Sequence, residues 1–332
     1  MVDTIFVEEE IVGFLRTQEI LSKFPRAKLL KIERYQEIFN RRNQNFRIQK
    51  RQPALILAKK YNNFVLPTPD GFGLASQKNF YFSHMYNCIY DCRYCFLQGL
   101  YSSANYVLFV NYDDFHAAIE EKIKSSPEEK MTFFSGYDCD SLAFEKISGF
   151  VASTIPLFRS HPKVELELRT KSVQLEPLLS CKPVKNCIIA FSLMPEGLAK
   201  QLDNKTPSVS RRIAALGRLA DEGWPIGLRF DPLIYSESWK DRYKELVRSV
   251  VNRIPVDAIH SVSYGPLRYP KKMFGDIIKL YPDESLFSYP MEANQNFVSY
   301  GQEVEKKMSD YLINELSKYI NSEKLFQCVI GD

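Results

Sequence analysis

Apolar positions recur along this chain in two registers that alternate. Short runs, apolar throughout or at every second residue, predict strands at 80–86, 131–135, 164–170, 187–193, 225–232 and 258–264. Between them, apolar residues spaced three and four apart predict helices at 113–125, 142–158, 172–179, 208–222, 239–254 and 270–281. The 208–222 segment carries its own boundaries, with Thr206-Pro207 ahead of it and Gly223 behind it as a left-handed terminator. Six strand–helix units in succession predict an α/β protein whose parallel sheet curls into a partial (β/α)6 barrel of the TIM type.

The flanks read differently. Residues 1–78 form an accessory region with a helix near 8–23, a basic segment, and a turn or linker at 67–73 (PTPDGFG). The barrel is expected over 79–285. Residues 286–332 hold a polar, aromatic stretch at 287–300 and a last helix at 303–320.

In such a barrel the strand C-termini form the active face. One predicted strand runs into Ser135-Gly136-Tyr137-Asp138-Cys139-Asp140, the next into Arg169-Thr170-Lys171, then Phe191-Ser192 and Arg229-Phe230-Asp231-Pro232. Polar groups stand at the mouth and apolar groups inside, as a buried site requires. Asp138 and Asp140 either orient a ligand or cap the following helix, and Asp140 before Ser141-Leu142 suits a cap. Cys181, Cys187, His84 and His260 read as packing or backbone-bonded residues.

Composition narrows the class. A hydrophobic content of 45% and a charged content of 25% over 332 residues are globular values. No apolar run is long enough to span a bilayer, and the acidic N-terminus MVDTIFVEEE lacks the basic and apolar regions of a signal peptide. A cytoplasmic, monomeric protein without membrane attachment is expected. An odd number of cysteines, seven, fits a reducing compartment better than a disulfide framework.

The net charge of +4 conceals an asymmetry. Residues 21–60 carry 12 Lys and Arg against only Glu33 and Glu37, a local +10, with Phe24, Tyr35, Phe39 and Phe46 interleaved. Such a field is the footprint of nucleic-acid binding or else a solvated helix face beside an acidic partner segment. Arg41, Arg42 and Arg47 are the candidate contacts.

The most specific feature is Cys88-Ile-Tyr-Asp-Cys92-Arg-Tyr-Cys95. With seven cysteines in the chain, roughly 0.003 such triplets are expected by chance. Thiolates are soft ligands for zinc or iron–sulfur clusters. Three of them leave one metal position open, which a catalytic centre needs. A structural zinc completed by His84 is the competing reading.

The spacing C-x3-C-x-aromatic-C, with Tyr94 as the aromatic, resembles the radical S-adenosylmethionine enzymes. The resemblance implies a [4Fe–4S] cluster on Cys88, Cys92 and Cys95 and S-adenosylmethionine on its fourth iron, giving a 5′-deoxyadenosyl radical. The cofactors carry that chemistry, while the protein ligates, orients and excludes solvent. Cys95-Phe-Leu-Gln98, 106–111 (YVLFVN), Thr170-Lys171, Phe191-Ser192, Pro232-Leu-Ile-Tyr235 with Trp239, and 267–272 (LRYPKK) further resemble the spore photoproduct lyase family, colinearly to near residue 285.

Members of that family cleave the methylene-bridged thymine lesion 5-thyminyl-5,6-dihydrothymine in DNA. The resemblance then implies S-adenosylmethionine contacts from Lys171 and Ser192, with Ser135, Gly136 and Asp231 beside them. Tyr94 takes a place in a radical relay near the adenosyl group. Arg268, Lys271 and Lys272 fall where the DNA backbone is held, and the implied partner is an electron donor such as flavodoxin or ferredoxin.

Two positions depart from the family pattern. Tyr137 stands where the family has its hydrogen-donating cysteine, and Phe96 replaces a second relay tyrosine. Hydrogen return then falls to Cys139 with a shortened relay and S-adenosylmethionine consumed, or to Tyr137 itself. Alternatively, the radical chemistry serves another nucleic-acid substrate. A zinc-stabilised nucleic-acid-binding protein without catalysis is the alternative from another class.

Overall fold

The computed structural model describes residues 2–69, 72–73 and 77–328. Its main element is a curled eight-stranded sheet in a mixed α/β fold. Six neighbouring strands are mutually parallel: Lys78–Phe82, Met131–Ser135, Val164–Thr170, Cys187–Ser192, Ile226–Leu233 and Ile259–Pro266. Leu325–Gln327 adds a seventh parallel strand beside Ile259–Pro266, and Leu66–Pro67 closes the other edge antiparallel to Lys78–Phe82. Neither edge strand was expected; each is too short to carry a periodic signal.

The central strands are buried on both faces, as parallel sheets demand. Cys187–Ser192 is buried at every position, which is why its sequence is apolar rather than alternating. The crossovers carry Tyr112–Ser125, Phe150–Arg159, Val209–Asp221 and Trp239–Arg253 among other helices. Val209–Asp221 starts on Ser208, whose Oγ accepts from the Arg211 N–H at 3.3 Å, and gives way to Gly223 at φ +90°. The helix expected over 142–158 is two helices. Gly149, left-handed at φ +63°, ends Glu145–Ser148, and the buried Glu145 carboxylate accepts from the N–H groups of Val151 and Ala152, both at 2.9 Å, capping Phe150–Arg159. The helix expected at 172–179 is confined to Glu176–Leu179, and the last long helix runs Gln302–Leu316.

The N-terminal region is more than a basic extension. Lys28–Ile32, Thr4–Glu8, Leu55–Ala58, Tyr106–Phe109 and Met85–Tyr86 form a second sheet in that order, parallel except for the last pair. The helix expected near 8–23 is therefore a strand, a short 3-10 turn at Glu9–Ile11, and a helix at Leu15–Ser22. Alternation decides it: Ile5 and Val7 are buried while Thr4 and Phe6 are only half-buried, which is a strand pattern. Buried Glu8 fastens the strand ends, its Oε1 accepting from Tyr35 N–H at 2.7 Å and its Oε2 from Lys59 N–H at 2.9 Å.

Because Tyr106–Phe109 and Met85–Tyr86 belong to this sheet, a boundary at residue 78 does not separate the two sheets. The strand expected over 80–86 likewise stops at Phe82, and the chain crosses from the large sheet to the small one before the cysteine loop. Residues 70 and 71 of the expected turn at 67–73, and the last four residues of the 286–332 segment, lie outside the described residues.

Candidate active site at the strand C-termini

The cysteine loop and the C-terminal ends of the strands enclose one cavity of about 360 Å³. That size suits a small-molecule ligand. Cys88, Cys92, Cys95, Tyr94, Ser135, Gly136, Tyr137, Cys139, Lys171, Ser192, Asp231 and Arg268 all line it. Residues up to 180 positions apart in sequence are thus brought to one place by the parallel sheet. Arg41, Arg42, Arg47, Lys271 and Lys272 do not line it; all five are exposed.

The cysteine loop is held by backbone pairing. Asp91–Cys92 pairs antiparallel with Asp203–Asn204, and the Arg93 N–H donates to the Leu202 carbonyl at 2.8 Å. Gln98 secures the far side, its Nε2 donating to the Cys92 carbonyl at 3.1 Å. The Tyr90 N–H donates to Cys88 Sγ at 3.4 Å. Burial pushes the Cys88 thiol up to about 12 and raises Cys92 and Cys95 as well. A metal that binds these sulfurs must displace their protons.

Two lysines face the triplet. Lys171 follows the Val164–Thr170 strand, and its N–H donates to Asp140 Oδ2 at 2.7 Å. Asp140 Oδ1 also accepts from Thr170 Oγ1 at 2.6 Å and from Ala143 N–H at 2.8 Å, so Asp140 closes the turn at 141–144 and fixes the strand end; the helix after it begins only at Glu145 and is not capped by Asp140. Burial disfavours the Lys171 ammonium, but Cys92 and Asp203 outweigh it and raise its pKa. Its Nζ stands 5.4 Å from the Tyr94 ring centre. Lys50 comes from the N-terminal region; it is 6% exposed, and its Nζ donates to the Cys88 carbonyl at 2.8 Å. Burial lowers its pKa, while Cys88, Asp91 and Cys95 act the other way.

Tyr94 is buried and donates its hydroxyl hydrogen to Asp203 Oδ1. Asp203 in turn pairs with Arg212 at 2.7 Å, both side chains fully buried. Sequence reasoning missed Lys50, Asp203 and Arg212, since none belongs to the cysteine motif or to the end of a strand that the periodicity predicts. The only signal for Arg212 was a charge on a helix face otherwise lined by Val209, Ile213 and Leu216.

Tyr137 and Cys139 share the turn that Gly136 opens at φ +77°. A Cβ on Gly136 would lie 2.7 Å from Ser141 Oγ, so glycine is required twice over. The Tyr137 ring lies 4.3 Å from that of Tyr81 and 5.6 Å from Phe96. Burial pushes the Tyr137 phenol up to about 12. Cys139 reaches the cavity but belongs to the buried core cluster of the small sheet, with Met85, Leu108 and Phe144. At the wall opposite in sequence, Asp231 Oδ2 lies 3.9 Å from Arg169 Nη1, and Arg268 donates to the Cys328 carbonyl.

The residues fit the group that the triplet implies. Three thiols open onto one cavity, and the hydroxyl of Ser135 is buried there with no protein partner. Among the described residues no three His, Cys, Asp or Glu side chains close on a point at single-ion distance. His84 is fully buried, stacked on Phe150 at 4.0 Å, and outside the cavity lining, so it does not complete a zinc site with these cysteines. No helix among the described residues is long and apolar enough to cross a membrane.

Residues 78–326 match the family model for spore photoproduct lyase. The chain is 22% identical over 247 residues to the spore photoproduct lyase of Clostridium acetobutylicum, covering 70% of this chain and 72% of the relative. It is 23% identical over 241 residues to that of Bacillus subtilis, covering 71% and 70%. A solved spore photoproduct lyase mutant with bound AdoMet and dinucleoside spore photoproduct has the same fold, with a TM-score of 0.84 at 17% identity over 100% of this chain and 99% of that one. With the cysteine triplet on its loop and the matched segment running through every strand that lines the cavity, this chain belongs to the spore photoproduct lyase family.

Proposed function

We propose that this protein is a radical S-adenosylmethionine lyase that cleaves the methylene bridge of 5-thyminyl-5,6-dihydrothymine in DNA. The observation that carries this is the single cavity onto which Cys88, Cys92, Cys95, Lys171, Ser192, Asp231 and Tyr137 all open. The six parallel strands and their helices serve as a partial (β/α)6 TIM-type barrel whose mouth holds the chemistry. Bound there, a [4Fe–4S] cluster and S-adenosylmethionine would supply the radical chemistry that takes a hydrogen atom from the lesion.

The chain's residues divide the remaining work. Cys88, Cys92 and Cys95 hold the cluster. Lys171 meets the cofactor carboxylate as a point charge, with Ser192, Ser135, Gly136 and Asp231 as polar neighbours. Tyr94 is kept as a neutral phenol aimed at Asp203, where it orients the adenosyl side of the cavity. Tyr137 returns a hydrogen atom to the thymine radical, its phenol facing the cavity between Tyr81 and Phe96. Cys139, more deeply packed, is the second candidate for that step.

Arg268 at the cavity wall, with exposed Lys271 and Lys272 directly after its short strand, suits contact with the DNA backbone. Arg41 and Arg42 extend the positive surface. A lesion must leave the stack to reach such a cavity, and a damaged step costs least to open. The work is cytoplasmic and performed by a monomer.

The test is anaerobic incubation of reconstituted enzyme with the dinucleotide lesion, followed by analysis for thymidylyl-thymidine. Appearance of that product with 5′-deoxyadenosine supports lesion repair. Formation of 5′-deoxyadenosine without it favours a different nucleic-acid substrate for the same radical machinery, the reading to which Tyr137 and Phe96 point.

A further inference from the structure

Residues 46–51 form a thin wall between solvent and the cysteine loop. Lys50 is turned inward, its Nζ 2.8 Å from the Cys88 carbonyl, while its neighbours Arg47, Ile48 and Arg51 are turned outward. Ile48 is 62% exposed, a large apolar side chain standing between two arginines. Lys205, also exposed, donates from its Nζ to the Lys50 carbonyl at 3.1 Å and adds a third surface cation.

A second line of contact runs from the same wall. Arg47 lies over the Tyr281 ring at 5.5 Å, and Arg93 packs on that ring at 4.2 Å. Arg93 sits inside the cysteine triplet, between Cys92 and Cys95. Surface and cysteine loop are therefore joined twice, once through Lys50 and once through Tyr281, each time by a single intervening side chain.

We propose that the face formed by Arg47, Ile48, Arg51 and Lys205 is the docking surface for an acidic one-electron carrier protein that reduces the cluster. This rests on the cluster assignment made above. An apolar centre ringed by cations fits a partner whose redox group is exposed within an acidic face; the charges steer the encounter, and Ile48 is the desolvated contact. Electron transfer needs a short path more than a large interface, and weak redox encounters are the smallest of the specific ones. The balance is simple: the carrier loses one electron, the cluster gains it, and no bond forms between the proteins. Arg47, grouped in sequence with Arg41 and Arg42 as a DNA contact, belongs by this geometry to the carrier.

The test compares two reductants on the reconstituted protein, following the loss of cluster absorbance at about 400 nm. One is dithionite, which needs no docking. The other is purified flavodoxin in its hydroquinone form. In the double variant I48E/R51E the flavodoxin-driven rate should fall at least tenfold while the dithionite-driven rate is unchanged. The milder R51Q should lower the flavodoxin rate several-fold, and added salt should slow the parent with flavodoxin but not with dithionite. An unchanged flavodoxin rate overturns the proposal, and a loss of duplex-DNA affinity in its place would give the face to nucleic acid. A parent protein that binds no iron and shows no such absorbance refutes the cluster assignment itself, and the docking surface with it.

Discussion

The Tyr94 hydroxyl donates to one oxygen of Asp203, and the other oxygen of that carboxylate meets the Arg212 guanidinium at 2.7 Å with no solvent exposure on either side chain. The same residue begins the two-residue strand that pairs with Asp91–Cys92. Asp203 therefore couples the cysteine loop to the Val209–Asp221 helix. Asp203→Ala leaves a buried arginine without its counter-charge, which costs about 3–5 kcal/mol. Urea unfolding should register that loss. The double change Asp203→Ala with Arg212→Met should cost less than the sum of the two single ones.

Replacing Cys88, Cys92 or Cys95 singly by Ala should abolish iron loading and reductive cleavage of S-adenosylmethionine. Iron and sulfide analysis checks the first, and 5′-deoxyadenosine formation the second. Retained loading in any one variant would remove that cysteine from the ligand set.

Tyr137 and Cys139 both carry exchangeable hydrogens, so product formed in D2O should contain deuterium in the restored methyl group. Tyr137→Phe should lower turnover of the lesion about tenfold or more, equivalent to ~1.4 kcal/mol of barrier, and reduce the deuterium content. S-adenosylmethionine cleavage should persist. Cys139→Ala should leave the label in place. The reverse pattern, read by mass spectrometry, would move the hydrogen-returning role to Cys139.

His84 supplies a pH dependence of stability. Burial, aided by Lys60, lowers its pKa to about 3 from an ordinary 6.5, so the folded protein holds it neutral while the unfolded chain protonates. Stability from this group is complete above pH 6.5 and is lost as the pH falls from there toward 3. At pH 5 the loss is about 2 kcal/mol. Urea midpoints at pH 7 and pH 5 should differ accordingly, and His84→Phe, which keeps the flat contact with Phe150, should shrink the difference.

Arg268→Gln should weaken duplex-DNA binding and reduce the slope of log K against log salt by about 0.9 for each phosphate left without its cation. An unaltered slope would confine Arg268 to its bond with the Cys328 carbonyl.

The large sheet was legible because its inner strands are short runs, apolar throughout or at every second residue, and Val164–Thr170 and Met131–Ser135 fall at the expected residues. The small sheet was not. Its strand Lys28–Ile32 is mostly exposed and rich in lysine, so its pairing with Thr4–Glu8 rests on backbone hydrogen bonds that leave no periodic trace. The cysteine triplet and Lys171 were visible as a motif and as a polar strand terminus. Lys50 and Asp203 were not, because their partners Cys88 and Tyr94 lie 38 and 109 positions away, and Arg212 takes its role from Asp203, which was itself missed. A local pattern does not encode such distances.

Leu55–Ala58 lies between Thr4–Glu8 and Tyr106–Phe109 in the small sheet. During synthesis on the ribosome that sheet stays incomplete until residue 109 has emerged, and by then the whole cysteine loop has been made. The loop is consequently tethered at both ends by a folded scaffold, while Asp203, its antiparallel partner, lies about a hundred residues further along the chain and emerges later. A metal delivered at that stage would meet a half-built cradle, and one delivered later a latched one.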